Sequence, residues 1–142
     1  MENAVSAPGE QSVRIPYAKK PVSVRVEIDK HPALEGIAEW GPELKVSIEN
    51  ACFASYQDKL SMIGPEALPV IRRPNQVWKH ITIADIRIDP TILDALVVYV
   101  IPEWDESEHM EWCIRDGELV FVGQFLDYDI DSYGKQTPGN FA

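Results

Sequence analysis

The sequence predicts an α+β fold, in which one principal helix packs on a face of a twisted, mostly antiparallel sheet of about six to eight strands. Three observations predict this fold. A β-branched and aromatic run at residues 97–101 is typical of a central strand. Asp116-Gly117 stands between two further alternating runs and predicts a tight hairpin, because both central residues of such a turn adopt positive φ. Apolar residues after Asn50 recur at helical spacing, which indicates a helix.

The chain of 142 residues has the length of a single domain. Residues 1–12 are small and polar, so we predict a flexible tail before one α+β domain at residues 13–142. The sequence contains neither an apolar run of about 18 residues nor a basic start followed by an apolar stretch. We therefore expect a cytoplasmic protein with no membrane span, in which Cys52 and Cys113 are buried, reduced thiols.

The N-terminal half is predicted to contain three strands. Valines alternate with polar residues over residues 22–28, which is typical of a half-buried strand, and residues 29–32 are typical of the turn that ends it. Apolar residues at 34–40 predict a second strand. Alternation over residues 44–49 predicts a third strand, and residues 40–42 are the predicted turn between the two.

One helix is predicted from Asn50, as its N-cap, to about Met62, because Gly64-Pro65 would end it there. The second half of the chain is rich in strand signals. They predict one or two strands at 76–83 and 85–89, a turn or a helical turn at 91–95, the central strand at 97–101, and a hairpin formed by 110–115 and 119–122.

The negative charge is concentrated in the second half of the chain. Residues 74–142 contain four Lys and Arg against thirteen Asp and Glu, and so carry −9 of the net charge of −10 at pH 7. Such a surface repels nucleic acid and anionic membranes and attracts a basic partner. The alternative is that the charge only keeps the domain soluble.

The loop after the central strand, residues 103–109, is the densest acidic cluster and the predicted binding surface. Within it, Trp104 is either an exposed anchor, of the kind that dominates protein interfaces, or a core residue. Three aspartates near the C-terminus would share one face if their segment is extended. The residues predicted to bind a partner are Glu103, Trp104, Asp105, Glu106, Glu108, Asp127, Asp129 and Asp131.

No metal, cofactor or catalytic residue is predicted. His80, His109 and the neighbouring carboxylates are of the types that bind zinc or iron, but their spacing matches no ligand motif. The three C-terminal aspartates match the first, third and fifth positions of a calcium loop, but Ser132 and Pro138 stand where the loop needs glycine and glutamate. No serine, cysteine or lysine has an evident partner base, and no glycine loop could hold phosphates.

Two groups of residues within 74–123 carry a family resemblance. The first group is Pro74, Val77, Trp78, Lys79, His80 and Ile81, and the second is Trp104, Glu108, His109, Gly117, Val122 and Gly123. In these residues the chain resembles a bacterial family of domains of unknown function, similar to immunity proteins that are encoded beside polymorphic toxins. It departs from the pattern at Met110, where the family tends to have glycine. The resemblance implies a cytoplasmic inhibitor with a mostly antiparallel β fold and a helix.

The expected function is therefore that of a non-enzymatic immunity protein, which neutralises a cognate toxin by occlusion through its acidic surface. A basic nuclease is the kind of toxin that such a surface would suit, because a site that binds phosphates is complementary to carboxylates. Two alternatives remain at this point. One is a small metal-dependent hydrolase that uses His80 and His109, and the other is a structural module with no toxin partner.

Overall fold

The computed structural model describes residues 9–18, 20–26 and 30–142, in which a four-stranded antiparallel sheet and a two-stranded sheet accompany one long helix. The fold is therefore α+β, as predicted. The strands are β1 (Gly9–Val13), β2 (Val22–Val26), β3 (Ile81–Asp89), β4 (Ile92–Pro102), β5 (Met110–Arg115) and β6 (Glu118–Gln124), and the α-helices are α1 (Pro32–Glu35) and α2 (Pro42–Ile63). Neither helix is long and apolar enough to cross a membrane.

The larger sheet is an antiparallel meander in the order β3-β4-β5-β6. The predicted central strand, residues 97–101, lies within β4 and pairs with both β3 and β5. The predicted hairpin is also confirmed, since β5 and β6 are joined by Asp116 and Gly117 with φ values of 53° and 74°. The smaller sheet pairs β1 with β2, so the structure has two sheets where the sequence predicted one of six to eight strands.

The predictions of strands at 34–40 and 44–49 are wrong. The first region forms α1 and a 3₁₀ helix, Gly36–Glu39, and the second forms the first turns of α2. Leu44 and Ile48 are buried while Val46 is 49% exposed, so the apolar spacing is four residues, as in a helix, and not two. Asn50 accordingly lies inside α2 and is not its N-cap.

Helix α2 begins at a proline and ends before a glycine, and both residue types favour these positions. Pro42 occupies the first turn, where a missing N–H costs no hydrogen bond, and Gly64 ends the helix with a φ of 85°. The predicted C-terminal boundary is therefore confirmed. The helix buries Leu44, Ile48 and Cys52 against the sheet residues Leu96, Val98 and Trp112, among others of one cluster.

Two predictions about the approach to the sheet are corrected. Residues 76–80 belong to a 3₁₀ helix, Pro74–His80, so the strand begins at Ile81. The side chain of Gln76 explains the start of this helix, because its Oε1 accepts hydrogen bonds from the N–H groups of Arg72, at 2.8 Å, and Arg73, at 3.2 Å. Residues 92–95 are strand, and only Thr91 of the predicted turn or helical turn lies outside β4.

The prediction of a flexible tail at residues 1–12 is wrong for residues 9–12. Residues 9–12 belong to β1, whose Gln11 pairs with Val24 of β2. Residues 1–8 lie outside the described part of the chain, as do residues 27–29 of the predicted strand and turn. The described part of that strand, β2, buries alternate residues as predicted.

The C-terminal segment, residues 125–142, covers the sheet face opposite α2. Ile130 and Tyr133 of this segment are buried against Val97, Cys113 and Phe121 of the sheet. The sheet is thus covered on both faces. The two cysteines lie on opposite sides of it: Cys52 of α2 on the helix side, and Cys113 of β5 under the C-terminal segment. Both are free and buried, as predicted, and burial raises the pKa of Cys113 to about 11.

The C-terminal segment also closes the outer edge of β6. The side chain of Asn140 accepts a hydrogen bond from Val122 N at 3.1 Å and donates to Val120 O at 3.0 Å, while Phe141 N donates to Val122 O at 2.7 Å. A covered edge cannot pair with another chain. Gly123 permits this close approach, because a Cβ there would lie 2.6 Å from the carbonyl oxygen of Gly139.

We predict that Gly123→Ala lowers the free energy of unfolding by about 1–3 kcal/mol. The added methyl group would lie 2.6 Å from the carbonyl oxygen of Gly139 and 2.7 Å from the ring of Phe121, so the C-terminal segment and this ring must both shift. Gly134→Ala is the matched control, since a Cβ at Gly134 meets nothing within 4 Å. Urea unfolding of both variants measures the effect. Equal midpoints for the two variants would contradict the close approach.

Candidate functional site

The acidic loop, residues 103–109, joins β4 to β5 and lies against the C-terminal half of α2. Trp104 is only 2% exposed, so it is a core residue and not the exposed anchor. Its indole Nε1 donates to Ser55 Oγ at 3.3 Å, and its ring packs edge-on against Tyr56 with the centroids 5.8 Å apart. Trp104 therefore attaches the acidic loop to the helix.

The carboxylates of the acidic loop divide into paired and outward groups. Glu103 Oε1 lies 2.9 Å from His80 Nδ1, and Asp105 Oδ1 lies 3.4 Å from Lys59 Nζ. Glu106 and Glu108 are exposed. The loop thus keeps its charged groups at the surface while its tryptophan is buried.

A cleft of about 410 Å³ opens beside this loop, between α2 and the C-terminal segment. The titratable side chains of its lining are three carboxylates, one lysine and one histidine: Asp58, Asp105, Glu108, Lys59 and His109. Its apolar lining includes Pro102, Met110, Leu126, Phe141 and Met62. Met62 is 68% exposed and adds apolar surface to the lining. The cleft therefore combines negative charge with apolar surface.

His109 holds the end of the loop in place. Its Nδ1 forms a hydrogen bond with the hydroxyl of Tyr99, and its carbonyl oxygen accepts from Phe125 N at 3.2 Å. The φ of His109 is 23°, so His109 itself makes the turn that leads into β5. Met110 is the position at which the chain departs from the family pattern described above, and it is a buried residue of β5.

Of the three C-terminal aspartates, Asp131 lies away from the acidic loop. Asp131 pairs with Arg115, which also contacts both carboxylate oxygens of Asp94 at 3.0 and 2.9 Å. Arg115 is the last residue of β5, whereas the acidic loop leads into Met110, the first residue of β5. Arg115 is therefore five strand residues, each rising about 3.3 Å, away from the loop. Asp127 follows Leu126 of the cleft lining, and Asp129 stands just before the 3₁₀ helix Ile130–Ser132.

The two histidines of the hydrolase alternative have different partners, since His80 contacts Glu103 and His109 contacts Tyr99. Within residues 9–18, 20–26 and 30–142, no group of three or more His, Cys, Asp or Glu side chains could hold a metal ion.

Sequence reasoning missed Glu111, a buried carboxylate at the second position of β5. Its side chain points under the C-terminal segment and is 2% exposed. Glu111 Oε1 accepts from the Tyr133 hydroxyl at 2.5 Å and from Leu126 N at 2.9 Å, and Oε2 lies 3.8 Å from Arg87 Nη2. Glu111 alternates with apolar residues in the run 110–115, and its position opposite a later tyrosine is not visible in any local pattern.

We predict that Tyr133→Phe lowers the free energy of unfolding by about 1.5–3 kcal/mol near neutral pH, because the buried Glu111 carboxylate loses a hydroxyl donor. Tyr128→Phe is the matched control, since Tyr128 lies in the same segment and is 37% exposed. Urea unfolding of the two variants measures the difference. A loss no larger than that of the control would contradict the role of the Tyr133 hydroxyl.

Burial, together with the bond to Glu111, raises the pKa of Tyr133 above its ordinary value. A raised pKa means that the stability contributed by this group is complete below about pH 10 and is lost as the pH rises further, because the unfolded chain ionises first. The stability gap between the wild type and Tyr133→Phe should therefore narrow above about pH 10. A gap that stays constant would show that Tyr133 ionises equally in both states.

Comparison with known proteins identifies one family. The family model described as a domain of unknown function (DUF6985) matches residues 9–129, which contain both sheets, both α-helices and the acidic loop. No curated protein and no solved structure matches the chain. The family's description assigns neither an activity nor a partner. Since the match spans most of the chain, this protein belongs to the DUF6985 family.

Proposed function

We propose that this protein is a non-enzymatic binding protein of the immunity type, which acts in the cytoplasm and neutralises a cognate protein toxin by covering its basic surface. The observation that carries the proposal is the acidic end of the molecule, where an exposed loop and an adjoining cleft concentrate carboxylates. The toxin is inferred from the resemblance of residues 74–123 to immunity-like proteins.

The charge of this end suits a basic partner. The loop and cleft bring together five carboxylates, from Asp58, Glu103, Asp105, Glu106 and Glu108. Lys59 lines the cleft with them, and Lys20 and Lys79 line a neighbouring pocket beside Glu103. Complementary charge accelerates association and excludes like-charged partners. A nuclease is a suitable toxin class, because the surface that binds its phosphate substrate is positively charged.

The acidic loop is also held in one shape before any partner arrives. Trp104 attaches it to α2, Glu103 N donates to His80 O at 2.8 Å, and His109 bonds to Tyr99. A surface that is already ordered loses less conformational entropy on binding. Occlusion by such a surface requires no catalytic group.

The function is tested by expressing the product of the adjacent upstream gene with and without this protein. We expect that product alone to inhibit growth, co-expression to restore growth, and the two proteins to co-purify as a complex that weakens as salt rises. A product that does not inhibit growth and does not bind would overturn the proposal. So would a stoichiometric transition metal in the purified protein together with hydrolytic activity, since that result favours the hydrolase.

We predict that the triple reversal Asp105→Lys, Glu106→Lys and Glu108→Lys slows association with that partner by at least about tenfold at low salt, and flattens the salt dependence of the association rate. Stopped-flow or surface plasmon resonance kinetics at several ionic strengths measure both effects.

The control variant reverses three exposed glutamates outside the acidic loop: Glu10→Lys, Glu66→Lys and Glu118→Lys. Its net charge changes by the same amount, so any effect of total charge alone appears in both variants. Equal association rates for the two variants would place the interface elsewhere on the molecule.

A further inference from the structure

We propose that the cleft beside the acidic loop receives an arginine side chain from the partner. The proposal rests on the proposed function, whose partner chemistry it specifies. It names one kind of occupant, a guanidinium group on a basic protein surface, and one place for it.

The lining of the cleft matches the two parts of an arginine side chain. Apolar groups such as Pro102, Leu126 and Phe141 can cover the methylene stem, while Asp58, Asp105 and Glu108 can accept from the guanidinium. Arginine suits this geometry better than lysine, because its planar fork donates to two carboxylates at once and is more weakly hydrated. The volume of about 410 Å³ leaves room for one such side chain.

Lys59 already occupies part of the position that an incoming cation would take. Its Nζ lies 3.4 Å from Asp105 Oδ1, and both side chains remain about one quarter exposed, at 25% and 26%. A long, partly exposed ion pair of this kind contributes little free energy and is readily exchanged. In the free protein Lys59 therefore neutralises a carboxylate that the partner's arginine would take over.

Met62 supplies an apolar contact at the rim of the cleft. Its side chain is 68% exposed, and an unbranched thioether adapts its shape to whatever binds beside it. Exposure of a large apolar side chain next to carboxylates fits a partner surface that is basic and partly apolar. A second copy of this chain fits poorly, because its net charge of −10 opposes close approach to an acidic surface.

The test uses two blocked tripeptides, Ac-Gly-Arg-Gly-NH₂ and Ac-Gly-Cit-Gly-NH₂, of which the second contains citrulline, an uncharged isostere of arginine. The three methionines of the full chain are followed by methyl NMR during titration. We expect saturable shifts of Met62 and Met110, both of which line the cleft, with the arginine peptide only. Equal shifts with the citrulline peptide, or none with either, would overturn the proposal.

Substitution of the internal cation gives the sharper result. Lys59→Met should bind the arginine peptide about threefold more tightly, since the competing ammonium is removed. Lys135→Met is the matched control, because it makes the same change of charge at an exposed residue that does not line the cleft. Glu108→Gln should weaken binding by a similar factor.

A Lys59→Met affinity no higher than that of Lys135→Met would show that only net charge matters and would overturn the proposal. Methyl shifts of Met62 that depend on protein concentration without peptide would assign the cleft to a second copy and overturn it as well. No toxin is present in this titration. Loss of toxin binding with intact peptide binding would therefore count against the proposed function and leave the arginine cleft standing.

Discussion

The arrangement of this molecule depends on two central strands, β4 and β5, that are buried on both faces. Every residue of β5 from Met110 to Ile114 is buried, and so are four consecutive residues of β4. Helix α2 covers one face, and the C-terminal segment covers the other. An uncovered face would expose Val97 and Phe121 to water, so the C-terminal segment is part of the core although little of it is regular structure.

In the described part of the chain, a buried carboxylate with specific donors lies on each side of the sheet. On the helix side, Glu49 accepts from Trp78 Nε1 at 2.7 Å and pairs with Lys45 at 3.2 Å. On the opposite side, Glu111 binds Tyr133 and the backbone of the C-terminal segment. A buried carboxylate is costly unless such donors are present, so each one requires a particular neighbour in a particular place. The two glutamates thereby attach the irregular parts of the chain to the helix and the sheet.

Because both faces of the sheet are covered, a partner meets either its ends and edges or the layers that cover it. At one end the acidic loop is attached to α2 through Trp104. Because Trp104 is buried, it is not an apolar anchor on the surface, but it holds the loop against the helix. The apolar contribution at that end comes from Met62 on the helix, which no pattern in the loop could indicate. The proposed binding surface is therefore built from three separate parts of the chain: α2, the acidic loop and the C-terminal segment.

The sequence by itself determined the features that depend on neighbouring residues. The hairpin at Asp116 and Gly117, the strand through residues 97–101 and the helix end at Gly64 follow from turn chemistry and local side-chain shape. The acidity of the second half also follows directly from the residues present.

Only the tertiary structure decided the features that depend on distant residues. Leu44 and Ile48 fit both a strand and a helix, because a spacing of four residues satisfies both periods, and packing against the sheet selected the helix. The acidic loop contacts α2 through Trp104 and Ser55, which are 49 residues apart in sequence. Burial of Glu111 required Tyr133, 22 residues later, to fold back over the sheet. Local patterns report which side chains can be buried, whereas long-range packing decides which ones meet.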